Sequence, residues 1–254
     1  MKILALGDVV GSGGVEYLRA RLRRFKRENG IDLTVINGEN SAKGNGIDPC
    51  SAEALFDAGA DALTTGNHVF RINAFYDYLE NERFVIRPLN FPATAPGRGA
   101  VTVDLGMTRV LIMNVMGTVG LEPLGCPFDA VEKALEENKG RYDISVLDIH
   151  AETTSEKAAI ARYFDGRINV VFGTHTHVQT ADARLLPKGT GFITDLGMCG
   201  PTDSILGVKS EIIIDKLRSH MPKKFEFADG EIAATGAVFT LEGGKVTKVE
   251  AVRF

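Results

Sequence analysis

The chain has 254 residues, 44% of them hydrophobic, and a formal net charge of -4. That is enough apolar content for one large core or two small ones. No basic run stands out, which argues against a long nucleic-acid groove and an anionic membrane surface.

Apolar runs are too short to span a bilayer, and the N-terminal one is too short for a signal peptide. Cys50, Cys126 and Cys199 are odd in number and far apart. That spacing argues against a disulfide framework or a thiolate zinc site and suits reduced thiols in the cytoplasm.

In chain order, Lys2 to Gly7 is an apolar run closed by Gly-Asp and reads as a buried strand. Val15, Leu18, Leu22 and Phe25 recur at helical spacing, and Gly30 suits a left-handed helix end. Leu33 to Ile36 is a second strand, followed by the turn Asn37-Gly38-Glu39-Asn40. Pro49 to Ala58 is expected to be helical, proline suiting the first turn. Asp61 to Thr65 is a third strand ending at Gly66-Asn67-His68.

A helix over Ile72 to Glu80 and strands over Phe84 to Ile86, Ala100 to Leu105 and Arg109 to Val115 follow. A loop rich in Gly and Pro then precedes a helix from Phe128 to Asn138. Ile144 to Ile149 is a strand running into His150, Ser155 to Phe164 a helix, and Ile168 to Phe172 the strand before Gly173-Thr174-His175-Thr176-His177. Gly191 to Asp195 reads as a strand, Met198 to Thr202 as a turn, and Ser204 to Lys216 as helix or strand. Gly243-Gly244 between two alternating runs signals a hairpin. Helices alternating with strands favour one α/β domain over 1–254, with a small excursion at about 199–231.

Five of the apolar runs end in ligand-type side chains. In open α/β sheets, sites form beyond the carboxyl ends of strands. Such loops would gather Asp8, Glu39, Asn40, Asn67, His150, His175 and His177. This set of oxygens and nitrogens, without thiolate, suits Fe, Mn, Zn or Co. It is too large for one tetrahedral ion and about right for two ions bridged by a carboxylate.

His175 and His177 are each expected to reach a different ion of a close pair. Two carboxylates against two divalent ions leave a net charge of about +2, which attracts phosphate. A close metal pair activates water for in-line displacement. His68, beside Asn67, is then the candidate general acid.

Each residue alone has a plainer role. Asp8 could cap the helix after it. Asn40 and Asn67 are common turn residues. His150 could be a hydrogen-bonded strand end, His220 lies on the surface, and Asp195 either supports the site from behind or caps a turn. The combination in order is what points to a metal centre.

Those motifs resemble the calcineurin-like metallophosphoesterases over positions 8 to 177. Three positions depart from the general pattern: Val10 stands where Asp-x-His has histidine, Glu39 replaces the bridging aspartate, and Val69 replaces an acid after His68. With Asn37-Gly38-Glu39-Asn40 and Thr194-Asp195-Leu196-Gly197-Met198, these departures resemble the YmdB-like branch over nearly the full length.

That resemblance implies a four-layer sandwich, two mixed β-sheets flanked by helices. It also implies a phosphodiesterase acting on cyclic nucleotides such as 2',3'-cyclic AMP, with a di-iron or di-manganese centre, a bridging hydroxide and His68 as acid. Asp8, Glu39, Asn40 and His177 would hold one metal, and Glu39, Asn67, His150 and His175 the other. Two further readings stay open: a phosphomonoesterase or nuclease using the same centre, and a slow regulatory cyclic-nucleotide-binding protein. The expected partner is a small phosphodiester, with no membrane involved and nucleic acid not favoured. The 199–231 segment is a candidate surface for self-association.

Overall fold

In the computed structural model, which describes residues 1–254, the chain begins with β1 (Lys2–Leu6), β2 (Asp8–Val9), α1 (Gly11–Asn29), β3 (Leu33–Asn37), α2 (Pro49–Ala58) and β4 (Ala62–Thr64). It continues with a short 3-10 turn at Asn73–Phe75, α3 (Tyr76–Asn81), β5 (Val85–Ile86), β6 (Ala100–Asp104), β7 (Arg109–Met116), α4 (Pro127–Glu137), β8 (Ile144–His150), α5 (Thr154–Tyr163) and β9 (Val170–Thr174). The last third holds β10 (Arg184–Leu185), β11 (Gly191–Ile193), β12 (Met198–Pro201), α6 (Ser210–Ser219), β13 (Ile232–Glu242) and β14 (Lys245–Arg253).

These strands form two sheets. The first runs β2-β12-β13-β1-β3-β4-β5, with β14 added on β13. Within it β1, β3, β4 and β5 are parallel, and β13 pairs antiparallel to β1. The second runs β10-β11-β9-β8-β7-β6, with β7, β8, β9 and β11 parallel. Every residue of β3, β8 and β9 is buried. Strands covered on both faces read as unbroken apolar runs, which is why they were visible without alternation.

Three apolar clusters define the layers. One, with Leu18 and Leu22 of α1 and Leu55 of α2, joins helices to the first sheet. One lies between the sheets, with Ile3 and Val35 facing Val146, Val170 and Phe172. The third joins the second sheet to Val131 of α4 and Ile160 of α5. Helix, sheet, sheet, helix is the expected four-layer sandwich.

Local signals account for the helix ends. Gly30 ends α1 at φ 63°, its N–H bonding Arg27 and Lys26 carbonyls. Asp48 and Ser51 form a reciprocal capping box at the start of α2, with Pro49 in the first turn.

Four segments differ from the sequence reading or settle what it left open. Met198–Pro201, expected as a turn, is a strand held between β2 and β13. The two-residue strands β2 and β10 are too short to leave a periodic trace. The stretch that read as helix or strand is helix α6, with no buried residue, so a core-facing pattern had nothing to mark.

Candidate metal centre

The parallel strands β1, β3 and β4 of one sheet and β8 and β9 of the other point their carboxyl ends to one place. Asp8, Glu39, Asn40, Asn67, His68, His150, His175 and His177 meet there in one contact network.

Glu39 is its middle. The Glu39 carboxylate lies 3.3 Å from His150 Nε2 and 3.4 Å from His68 Nδ1, and accepts the His68 backbone N–H at 3.2 Å. Asn40 Nδ2 donates to Glu39 Oε1 at 3.1 Å and faces His177 Nε2 at 3.2 Å. Asp8 Oδ1 lies 3.6 Å from His177 Nε2. His150 Nε2 stands 3.0 Å from both Asn67 Oδ1 and His175 Nδ1. Asp8 and His150 are fully buried, and Glu39 is 1% exposed.

Two expectations need correcting. Asp8 does not cap α1, whose N-cap is Val10 with no side-chain bond; its carboxylate accepts the His175 N–H at 3.0 Å instead. Nor does extended backbone continue through His175 and His177. Strand β9 ends at Thr174, and both histidines take positive φ, 100° and 61°. Such backbone costs about 1–3 kcal/mol per non-glycine residue. The Asp8 bond to His175 N, and an Asp195 bond to Thr176 N at 3.2 Å, hold it in place.

The supporting groups fix each imidazole. Thr174 Oγ1 donates to Asp148 Oδ1 at 2.7 Å, so at 2.9 Å from His150 Nδ1 it accepts the ring N–H. His177 Nδ1 donates to the Leu206 carbonyl at 3.0 Å. His175 Nε2 donates to Glu152 Oε2 at 2.9 Å. In the neutral ring, the other nitrogen of each is then a lone pair aimed inward. Outer-shell partners orient metal-ligating histidines in this way.

The cluster is short of positive charge. His150 Nε2 and His175 Nδ1 present lone pairs to each other at 3.0 Å, Asn67 Oδ1 adds another, and Asp8 Oδ1 is buried with no hydrogen-bond partner. Lone pairs in such contact repel unless a cation or proton lies between them. A proton alone does so at His150: burial pushes its pKa down, but Glu39 and Asp8 outweigh burial and raise it to about 9. Asp8 is pushed up by burial yet held below the ordinary carboxylate range by His177 and His150. His68 and His175 are lowered, chiefly by burial. A donor set of carboxylates, amide oxygens and bare imidazoles fits metal cations. Glu39, His150 and His175 alone place three ligand atoms within 4.8 Å of one another.

Gly66 is part of this fit. A Cβ there would overlap the His150 ring and the Glu39 carboxylate, so the strand end can approach the cluster only without a side chain.

Several supporting residues left no sequence signal. Asp148 is raised to about 6 by burial and gathers Thr64, Thr174 and Asn37. Asn37 Oδ1 accepts the Glu39 N–H at 3.1 Å, fixing that turn. Asp195, left open between support and capping, does both: it accepts from Thr176 N and Gly197 N and pairs with buried Lys157 at 2.7 Å. Glu152, two residues past His150, joins through His175.

Four layers with a histidine and carboxylate cluster at the strand ends define the metallophosphoesterase class. A family model described as YmdB-like protein matches residues 4–252, and the chain belongs to that family. It is 40% identical to a 2',3'-cyclic-nucleotide 2'-phosphodiesterase of Bacillus subtilis (strain 168), covering 99% of this chain and 96% of that protein.

Among solved structures, a hypothetical protein from Thermus thermophilus superposes with a TM-score of 0.95 at 38% identity, over 100% of this chain and 99% of that one. A Mycoplasma pneumoniae phosphatase superposes with a TM-score of 0.94 at 33% identity, over 100% of this chain and 93% of that one. No helix is long and apolar enough to cross a membrane.

Proposed function

We propose that the chain is a metal-dependent phosphodiesterase that opens 2',3'-cyclic nucleotides at a two-metal centre. Asp8, Glu39, Asn40 and His177 would hold one ion, and Glu39, Asn67, His150 and His175 the other. The observation that carries this is the set of inward ring nitrogens on His150, His175 and His177 around the unpartnered Asp8 Oδ1. A pair of divalent ions in such a set, Fe or Mn being favoured, supplies an activated water and stabilises charge on the attacking and leaving oxygens. The cyclic substrate follows the activity named for the B. subtilis relative.

The chain's own residues do the rest. A cleft of about 350 Å³ opens over Glu39, Asn40, His68, His175 and His177. Its far wall is apolar, with Leu206, Ile213, Phe225 and Phe227, a surface for a base and ribose. His68 is 16% exposed at the cleft and its Nδ1 is tied to Asn40 at 2.8 Å, which leaves Nε2 for the substrate. Burial lowers its pKa, and a phosphate anion beside it favours the charged form again. Protonation of His68 thus accompanies substrate binding. Water adds to phosphorus and gives up one proton to solvent, the bond to one ribose oxygen breaks, and that oxygen takes its proton from His68, which solvent then reprotonates.

The test is turnover of 2',3'-cyclic AMP and of a phosphomonoester by protein treated with chelator and then reloaded with Mn or Fe. Diester activity should vanish and return, and the monoester should be the poorer substrate. Chelator-resistant activity, or preference for the monoester, refutes the proposal.

A further inference from the structure

Beside the metal cleft lies a second cavity of about 1120 Å³, roughly three times the cleft's 350 Å³. The two share Asn45, His68, Phe225 and Phe227, so one opens into the other. Its walls carry Lys43, Arg71, Lys216, Lys223 and Lys224 against a single carboxylate, Glu226.

That carboxylate is already engaged, 3.1 Å from Lys209. Lys223 pairs with Asp215 and Lys216 lies 4.5 Å from the centroid of the Phe225 ring. Lys43, Arg71 and Lys224 have no ion-pair partner. In a chain of net charge -4, this is a concentration of unpaired positive charge around a space too large for one nucleotide. Cations tracking a groove with aromatic rings at its mouth are what a flexible phosphodiester chain needs: the rings stack bases and the cations meet phosphates.

We propose that this cavity binds the backbone phosphates of a short single-stranded RNA whose terminal 2',3'-cyclic phosphate occupies the metal cleft. The inference rests on the cyclic-phosphodiesterase reading and extends it. A 2',3'-cyclic phosphate needs both ribose hydroxyls, so a polymer ending in one is RNA. That end is the 3' terminus, and the preceding nucleotides leave through the 5' oxygen. The terminal base lies against Phe225 or Phe227, and the next phosphates meet Lys43, Arg71 and Lys224. The chemistry is unchanged: the terminal ring opens to a phosphomonoester, and no internal bond is cut.

The experiment compares 2',3'-cyclic AMP with a tri-adenylate ending in a 2',3'-cyclic phosphate, using Mn-loaded enzyme. The kcat/KM ratio should favour the trinucleotide by about tenfold at low salt. It should fall as salt rises, because each phosphate contact releases counterions. In the Lys43→Glu/Lys224→Glu variant the ratio should drop toward one. A ratio near one in the wild type, or one indifferent to the variant, overturns the inference while leaving the functional reading intact.

If neither substrate is opened, that reading fails, and a second measurement still decides the cavity's role. Fluorescence anisotropy of a labelled tri-adenylate with a 3'-phosphate, on chelated protein, should show binding that the double variant weakens about tenfold. Equal binding by both proteins overturns the inference.

Discussion

Lys157→Met is the sharpest test of how the His-x-His turn is held. Lys157 is fully buried, and its ammonium sits 2.7 Å from Asp195, itself 1% exposed. Asp195 Oδ2 also accepts Thr176 N at 3.2 Å and Oδ1 accepts Gly197 N at 2.8 Å. Methionine keeps the length of lysine but leaves a buried carboxylate with no cation. Breaking one side of a buried pair costs about 3–5 kcal/mol. At ~2–4 °C per kcal/mol for a chain of this size, Tm should fall by roughly 6–20 °C.

The measurement is thermal unfolding of chelated protein, so that metal binding does not mask the loss. Adding Asp195→Asn removes the unpaired charge and should recover part of the drop. Recovery is incomplete, since one amide oxygen cannot serve both Thr176 and Gly197. A Tm within about 2 °C of wild type in the single variant, or a double variant worse than the single, refutes the reasoning.

Other variants test the rest of the site. His68→Ala should keep its metal by elemental analysis and lose about 10²–10⁴ in kcat; unchanged turnover removes its role as acid. Gly66→Ala should lower metal content as well as activity, because the added methyl meets His150 and Glu39; normal metal stoichiometry shows that the strand end yields instead. Cys50 and Cys126 are exposed, whereas Cys199 is buried and burial pushes its thiol up to about 12. A thiol reagent at pH 8 should label two cysteines in native protein and three in denaturant; a third fast label in native protein refutes that burial.

The fold was legible where strands are buried on both faces. Lys2 to Leu6, Leu33 to Ile36 and Ile144 to Ile149 are mainly apolar runs followed by polar residues, and that ending marks the site. Contacts between elements distant in sequence left no such trace. Nothing in the order of residues pairs Lys157 with Asp195 or Glu152 with His175, since those partnerships join α5 and the ends of β8, β9 and β11, which the second sheet's strand order brings side by side. The His-x-His geometry was misread for a related reason. An apolar strand followed by two histidines reads as continuous extension, yet the bonds from Asp8 and Asp195 turn the backbone to positive φ. The sequence position of Asp8 suited a cap equally well, and only the opposite sheet supplies the His175 N–H that claims it.

The departures at Val10 and Val69 belong to one rearrangement. Val10 is buried and packs against Gly200 and Gly207, where added side chains would collide with it. Val69 is fully buried in the core beside α2 and α3, so no acid follows His68. Asn40 reaches both places. It lies 2.8 Å from His68 Nδ1 through Oδ1 and 3.2 Å from His177 Nε2 through Nδ2.

If Asn40 is a metal ligand, its oxygen must face the ions, because only the amide oxygen has lone pairs to offer. The amide then turns over, and Nδ2 donates to His68 Nδ1. Metal loading should therefore switch neutral His68 from the Nδ1–H to the Nε2–H tautomer, putting its proton on the atom that faces the cleft. Long-range ¹H–¹⁵N spectra of chelated and zinc-loaded protein distinguish the two forms. Asn40→Asp, an acceptor only, should keep Nδ1–H in both states. A His68 tautomer that does not change on zinc loading of the wild type would falsify Asn40 as a ligand and leave it solely as the residue that orients His68.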